Sequence, residues 1–132
     1  MQRNRIVIDC DPGIDDTFAL ILCIKKLDVA GIVAVGGNTG LQFTSRNARY
    51  VTELTGRTDI PVSAGYDQPM LGNAVRAEYV HGVGGLGDLD IPEPKKQLEK
   101  EYGVDFLIHT FMNENDVSLV AIGPLTNVAQ AL

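Results

Sequence analysis

Four carboxylates stand within eight residues near the N-terminus, in Asp9-Cys10-Asp11-Pro12-Gly13-Ile14-Asp15-Asp16, with no lysine or arginine among them. The nearest basic residues in the chain are Arg5 and Lys25. Apolar runs flank the segment on both sides, Ile6-Val7-Ile8 before it and Phe18-Ala19-Leu20-Ile21-Leu22 after it. Acids held together between buried segments repel one another, and a protein tolerates this mainly when a cation or a proton sits among them. An all-oxygen donor set of this kind suits a hard ion, Ca2+ or Mg2+, rather than Zn2+.

Local geometry sorts the four acids. Alternation along a strand puts Asp9 and Asp11 on one face and Cys10 on the other, so Cys10 is expected to pack as a small apolar residue. Pro12 biases Asp11 to an extended backbone, which prolongs the strand through it, and Gly13 permits a sharp turn into a helix. Asp15 and Asp16 open that helix, where backbone N–H groups favour carboxylates. Adjacent on a helix, they point in different directions, so one can bind a metal while the other binds something beside it. The plainer alternative is capping, with Asp15 as N-cap and Asp9 and Asp11 solvated; four acids around Pro-Gly weigh against it. An EF-hand loop does not fit, because the glycine comes fifth from Asp9 and the chain turns helical too early. A haloacid-dehalogenase-type phosphatase lacks its small polar pair after Asp-x-Asp and is kept only as an outsider.

The elements around the motif alternate. Strand patterns occur at Arg5 to Asp9, Gly31 to Val35, Pro61 to Ala64 and Val117 to Ile122. Helix patterns occur at Asp15 to Lys26, Phe43 to Leu54 with Gly56 ending it, Val104 to Asn115, and from Thr126 onward. Residues 66 to 96, rich in glycine and proline, are expected to form a long loop. Continuously apolar strands alternating with helices predict an α/β fold, a mostly parallel sheet with helices on both faces. Ligands bind such sheets at the carboxyl ends of the strands. The acidic motif, Gly36-Gly37-Asn38-Thr39 and Gly123-Pro124-Leu125-Thr126-Asn127 all fall at such ends.

Bulk properties narrow the partners. The 132 residues are 45% hydrophobic and 21% charged, values of an ordinary globular domain. A net charge of -6 argues against nucleic acid. No apolar run is long enough to span a bilayer, so no membrane partner is expected. Two cysteines make no disulfide framework, and a cytoplasmic location is expected. The chain stops seven residues into its last helix, which suggests truncation or a piece of a larger enzyme.

Two further features have plain readings. Gly82-Val83-Gly84-Gly85-Leu86-Gly87 formally matches a dinucleotide fingerprint, but no strand precedes it, and a flexible loop near the site is the better reading. His109 sits in a helix pattern, where packing is its default role.

The motifs together resemble the inosine-uridine-preferring nucleoside hydrolases. The likeness runs from the acidic segment through Val35-Gly36-Gly37-Asn38-Thr39, Ile60-Pro61-Val62 and Ala64-Gly65. It continues through His81-Gly82, Gly85-Leu86-Gly87, Pro92-Glu93-Pro94 and Ala121-Ile122-Gly123-Pro124-Leu125-Thr126-Asn127. It implies that residues 1–132 are the N-terminal part of a nucleoside hydrolase domain. It also implies calcium-dependent hydrolysis of the N-glycosidic bond of ribonucleosides, giving ribose and a free base. In that frame Asp11 and Asp16 ligate Ca2+, Thr126 adds its backbone carbonyl, and Asp11 is the general base. Asp15 and Asn38 hold ribose hydroxyls, His81 lies at the rim of the substrate site, and Asp9 supports it. The family's longer chains supply further ligands from a C-terminal part absent here. The contrasting expectation is therefore a truncated, incompetent fragment that keeps a partial cation site and self-associates. A homo-oligomer is expected, and for the fragment the sheet edges left by a missing half favour pairing with another chain.

Overall fold

The computed structural model describes residues 5–132; the expected run of residues 1–4 into the first strand lies outside them. The elements are β1 (Arg5–Cys10), α1 (Ile14–Lys26), β2 (Asp28–Ala34), α2 (Leu41–Leu54), β3 (Val62–Ala64), α3 (Glu78–His81), α4 (Gly103–Asn113), β4 (Val117–Ala121) and α5 (Thr126–Ala131). The strands form one sheet in the order β3-β2-β1-β4, and every pairing is parallel.

The strand sequences explain their burial. Ile6, Ile8 and Cys10 project to one face and pack with Leu20 and Ile24 of α1 and Ala48 and Val51 of α2. Val7 and Val33 project to the other and meet Leu107 of α4, with Phe106 and Ala131 beside them. Helices thus cover both faces, as the apolar strands require. Ile8, Ile32 and Leu20 are fully buried, each stabilising the fold by about 1.5–3 kcal/mol relative to exposure. Cys10 lies in this core, on the face opposite Val7, as its alternation predicts.

The order of the strands matters for function. From β1 the chain steps through β2 to β3 on one side, and later returns to place β4 on the other. A crevice opens where the winding direction reverses, outside the carboxyl ends of the adjoining strands. Here that point lies between β1 and β4, and the acidic motif follows β1 directly.

Three local expectations need adjustment. The hydrogen-bonded ladder ends at Cys10, so Asp11 stands just beyond the strand rather than within it. Segment 66–96 is not wholly irregular: residues Glu78–His81 make one helical turn. Helix α5 opens at Thr126 as expected, whereas β2 begins at Asp28 rather than at Gly31.

Candidate active site

Gly13 caps α1 without a side chain, which removes the capping role from Asp15. The two adjacent acids then part company. Asp16 is buried, and its Oδ2 accepts the Asp11 backbone N–H at 2.9 Å. Asp15 faces solvent, its side chain 76% exposed. This folds the loop back on itself, so that two carboxylates meet at the end of β1 while a third stands free beside them.

Asp11 is gripped from the next strand. Its Oδ2 accepts the Asn38 backbone N–H at 2.7 Å, and the Asn38 side-chain amide donates to the Asp11 carbonyl at 3.2 Å. Gly37 makes this approach possible. A Cβ there would lie 2.1 Å from Asp11 Oδ2, a distance no side chain could accept. On the β4 side, Gly123 packs against the Asp11 backbone and Oδ1. The carboxylate therefore sits in the crevice between two glycine turns.

Asp9 is fully buried. Its Oδ2 accepts the Asn127 side-chain amide at 2.9 Å, whereas its Oδ1 has no partner among the described residues. Asn127 also donates to the Ala34 carbonyl at 3.3 Å and accepts the Tyr66 N–H at 2.8 Å. One buried amide thereby joins the ends of β1 and β2 to the segment after β3. Sequence reasoning quoted Asn127 within a motif without giving it a role; the only signal was its place at a strand's carboxyl end.

His81 comes to the opening of α1. The Ile14 N–H donates to His81 Nδ1 at 3.1 Å, so that nitrogen is unprotonated. The approach of Asp15 Oδ1 to the same nitrogen, at 4.0 Å, is therefore not an ion pair. Asn47, a second residue missed from sequence, donates to the Pro12 carbonyl at 2.9 Å and the Gly84 carbonyl at 2.8 Å. It ties the acidic loop to the glycine-rich loop. Gly82, Gly85 and Gly87 of that loop adopt positive φ, so the formal fingerprint is a set of left-handed turns after a helical turn, not a strand-to-helix phosphate cradle. Thr126 lies with Gly36, Gly37 and Pro124 around a cavity of about 210 Å3, roofed by Pro69, Leu71 and Arg76. All seven residues singled out from sequence thus reach the same edge of the sheet.

Burial dominates the electrostatics. It pushes the Asp9 carboxyl up to about 7, against the Asn127 hydrogen bond and with help from the Asp11 charge. It also pushes Asp16 up to about 7, with Asp11 adding repulsion, and raises Asp11 despite the Asn38 amide. Burial thus favours the protonated form of Asp9 and Asp16 below about pH 7. The orphaned Asp9 oxygen and the buried Asp11–Asp16 pair fit a hard cation at this edge. Among the described residues, however, no three His, Cys, Asp or Glu side chains gather closely enough to enclose a metal. Two carboxylates would need carbonyl oxygens or further groups to complete a shell.

With chelator present, the folded chain holds more protons than the unfolded chain between about pH 4 and 7, because Asp9 and Asp16 are raised from 3.8 to about 7. The contribution of Asp9 and Asp16 to metal-free stability is therefore fullest below about pH 4 and is lost as pH rises through about 7, by on the order of a few kcal/mol. Urea titrations across this range, in the presence of chelator, should show the loss.

A parallel sheet, a winding reversal and an oxygen-rich acidic loop at that reversal define an α/β protein with a candidate ligand site at the sheet's carboxyl edge. The family model described as inosine-uridine preferring nucleoside hydrolase matches residues 6–132, and the chain belongs to that family. Uridine nucleosidase 1 of Arabidopsis thaliana is 36% identical, over 99% of this chain and 40% of its own length. The inosine-uridine preferring nucleoside hydrolase of Crithidia fasciculata is 34% identical, over 97% of this chain and 42% of its own. Among solved structures, a purine-preferring ribonucleoside hydrolase from Gardnerella vaginalis superposes with a TM-score of 0.91 at 30% identity, covering 97% of this chain and 43% of that one. The chain thus spans less than half the length of these relatives.

Proposed function

We propose that this chain is the N-terminal part, residues 1–132, of a calcium-dependent ribonucleoside hydrolase, acting as an N-ribosyl hydrolase that releases ribose and a free base. The observation that carries the reading is the buried Asp11–Asp16 pair, held by the Asn38 amide at the winding reversal, with Asp15 exposed beside it.

In this reading Asp11 and Asp16, with the Thr126 carbonyl, hold Ca2+, which when bound supplies a water of lowered pKa. Asp11 Oδ2 is occupied by the Asn38 N–H, which leaves Oδ1 to take the proton from water. Asp16 Oδ2 is occupied by the Asp11 N–H, which leaves its other oxygen for the cation. Asp15, exposed at the helix start, and the Asn38 amide serve the ribose hydroxyls. Negative charge beneath the sugar stabilises the oxocarbenium-like transition state. Asp9 supports the loop from below, and His81 stands at the rim.

The relatives' names include uridine, inosine-uridine and purine preferences, so this shared segment is consistent with either class of base. A cytoplasmic location belongs to this proposal; no helix among the described residues is long and apolar enough to cross a membrane.

A second reading has an observation of its own. Ile108, Phe111, Met112, Leu119, Val128 and Leu132 line an apolar groove of about 440 Å3, and β4 is an edge strand. Such a surface suits self-association of a chain that keeps a partial cation site without turnover.

Ribose release from inosine and uridine, with and without Ca2+, separates the readings. The nucleosidase reading expects release that EDTA suppresses by at least about 100-fold. Calcium binding in calorimetry without any ribose release would favour the second.

A further inference from the structure

The turn that grips Asp11 is itself gripped from outside. Arg76 donates to the Thr39 carbonyl at 2.9 Å, to the Asp67 carbonyl at 3.1 Å and to Asp67 Oδ1 at 2.9 Å. Asp67 Oδ1 also accepts the Leu41 N–H at 2.7 Å, satisfying an amide at the start of α2 that the N-cap Gly40 cannot serve. That amide holds the Asp67 carboxyl below the usual carboxylate range. Two backbone bonds complete the arrangement: Gly36 N–H to the Tyr66 carbonyl and Ala77 N–H to the Asn38 carbonyl, both at 2.8 Å. A Cβ at Gly36 would lie 2.4 Å from the Asp67 carbonyl, so the clamp is seated directly on the turn.

Residues 36–41 are thus pressed between two partners. Asp11 lies against the inner side through Asn38 and Gly37, and the Asp67–Arg76 pair lies against the outer side. Neither Asp67 nor Arg76 hydrogen-bonds to any of the four acids, but Arg76 holds the Thr39 carbonyl, one residue from Asn38, and Asp67 holds the Leu41 N–H, three residues from it. A guanidinium spans three acceptors at once because its donors form a planar fork, which an ammonium cannot reproduce.

We infer that Asp67 and Arg76 are positioning residues, fixing the 36–41 turn so that the Asn38 amide aims the Asp11 carboxylate. This rests on the proposed nucleosidase reading for its catalytic consequence but not for its geometry. Groups that orient a ligating or reacting side chain typically change metal affinity or rate by about 10- to 100-fold when removed.

The test uses Arg76→Met, which keeps the apolar stem, and Arg76→Lys. Hydrogen exchange is followed at the amides of Asn38, Val7 and Ile8; ribose release and calcium affinity are measured on the same samples. Arg76→Met should speed exchange at Asn38 on the order of 10-fold while Val7 and Ile8 keep their protection. It should lower kcat, and calcium affinity, about 10- to 100-fold with KM within about 2-fold. Arg76→Lys should recover only part of each. Equal loss of protection at all three amides would mean general destabilisation and would overturn the inference, as would unchanged exchange at Asn38. Faster exchange at Asn38 with unaltered kcat and calcium affinity overturns the positioning role and leaves the nucleosidase reading standing. Should the unmodified protein release no ribose, that reading fails, and the clamp is judged on calcium affinity and exchange; with no calcium bound either, the Asn38 exchange alone decides it.

Discussion

On the proposed nucleosidase reading, Asp11→Asn is expected to lower ribose release by at least about 10^3-fold, the combined effect of losing the proposed general base and an anionic cation ligand. The substitution is nearly isosteric, and an amide oxygen can still accept the Asn38 N–H that Oδ2 now accepts at 2.7 Å. What disappears is the charge and the proton-accepting oxygen beside Gly123. The same change should make the metal-free protein more stable. Asp11 is one of two buried carboxylates whose mutual repulsion helps raise Asp16 to about 7. Removing its charge leaves Asp16 without that repulsion. A higher melting temperature in EDTA, together with lost calcium affinity and lost turnover, separates impaired chemistry from impaired folding. Stability sacrificed for a working constellation is the common pattern at functional sites. An Asp11→Asn protein that releases ribose at the original rate would remove Asp11 from the mechanism.

How much of this was legible before any coordinates depends on the range of each interaction. The apolar runs Ile6-Val7-Ile8 and Leu119-Val120-Ala121-Ile122 marked strands because short continuous apolar runs ask for cover on both faces; β1 has that cover, whereas β4 stays partly exposed. Alternation correctly divided Cys10 from the acids, since the period of two leaves no choice once Ile6 and Ile8 face the core. The opening of β2 was less legible. Its ladder begins at Asp28, three residues before the apolar run that marks it, with an irregularity opposite Ile6/Val7. Val29 and Ile32 face the same core although three residues apart, so the expected alternation is broken there.

The acids of the candidate site were legible as a local cluster; their division of labour was only half so. That Asp15 and Asp16 diverge follows from helix geometry, but which one is buried depends on the Asp11 N–H five residues back. The supports were not legible at all. Asn127 meets Asp9 across 118 residues, and Arg76 meets Thr39 across 37. No periodicity or composition encodes such pairs, because each exists only after the sheet has brought distant turns to one edge. His81 was placed near the site by resemblance, yet its observed bond to the Ile14 N–H gives it a second, local task in holding the start of α1.

Asn127→Asp should destabilise the protein at neutral pH by about 3–5 kcal/mol, the usual cost of leaving a buried charge without its partner. The amide now gives Asp9 Oδ2 its one hydrogen bond, at 2.9 Å, inside a region with no solvent access to either residue. A second carboxylate at 127 would face Asp9 and the Ala34 carbonyl with acceptors alone. Two buried carboxyls at that distance can share one proton but cannot both ionise. Their folded-state affinity for protons must rise further above the unfolded value of 3.8, from an Asp9 already near 7. The pH-dependent part of the added instability is therefore absent below about pH 4 and grows as pH rises through 7, a sign that simple loss of packing or of the Ala34 bond would not produce. Urea unfolding at pH 5 and pH 8 reads the difference. Reversing the pair with Asp9→Asn in the same protein restores one donor and one acceptor across the contact. It should recover part of the loss, though not the bond to Ala34. A double variant no more stable than Asn127→Asp alone would mean that Asn127 acts through Tyr66 and Ala34 rather than by holding Asp9.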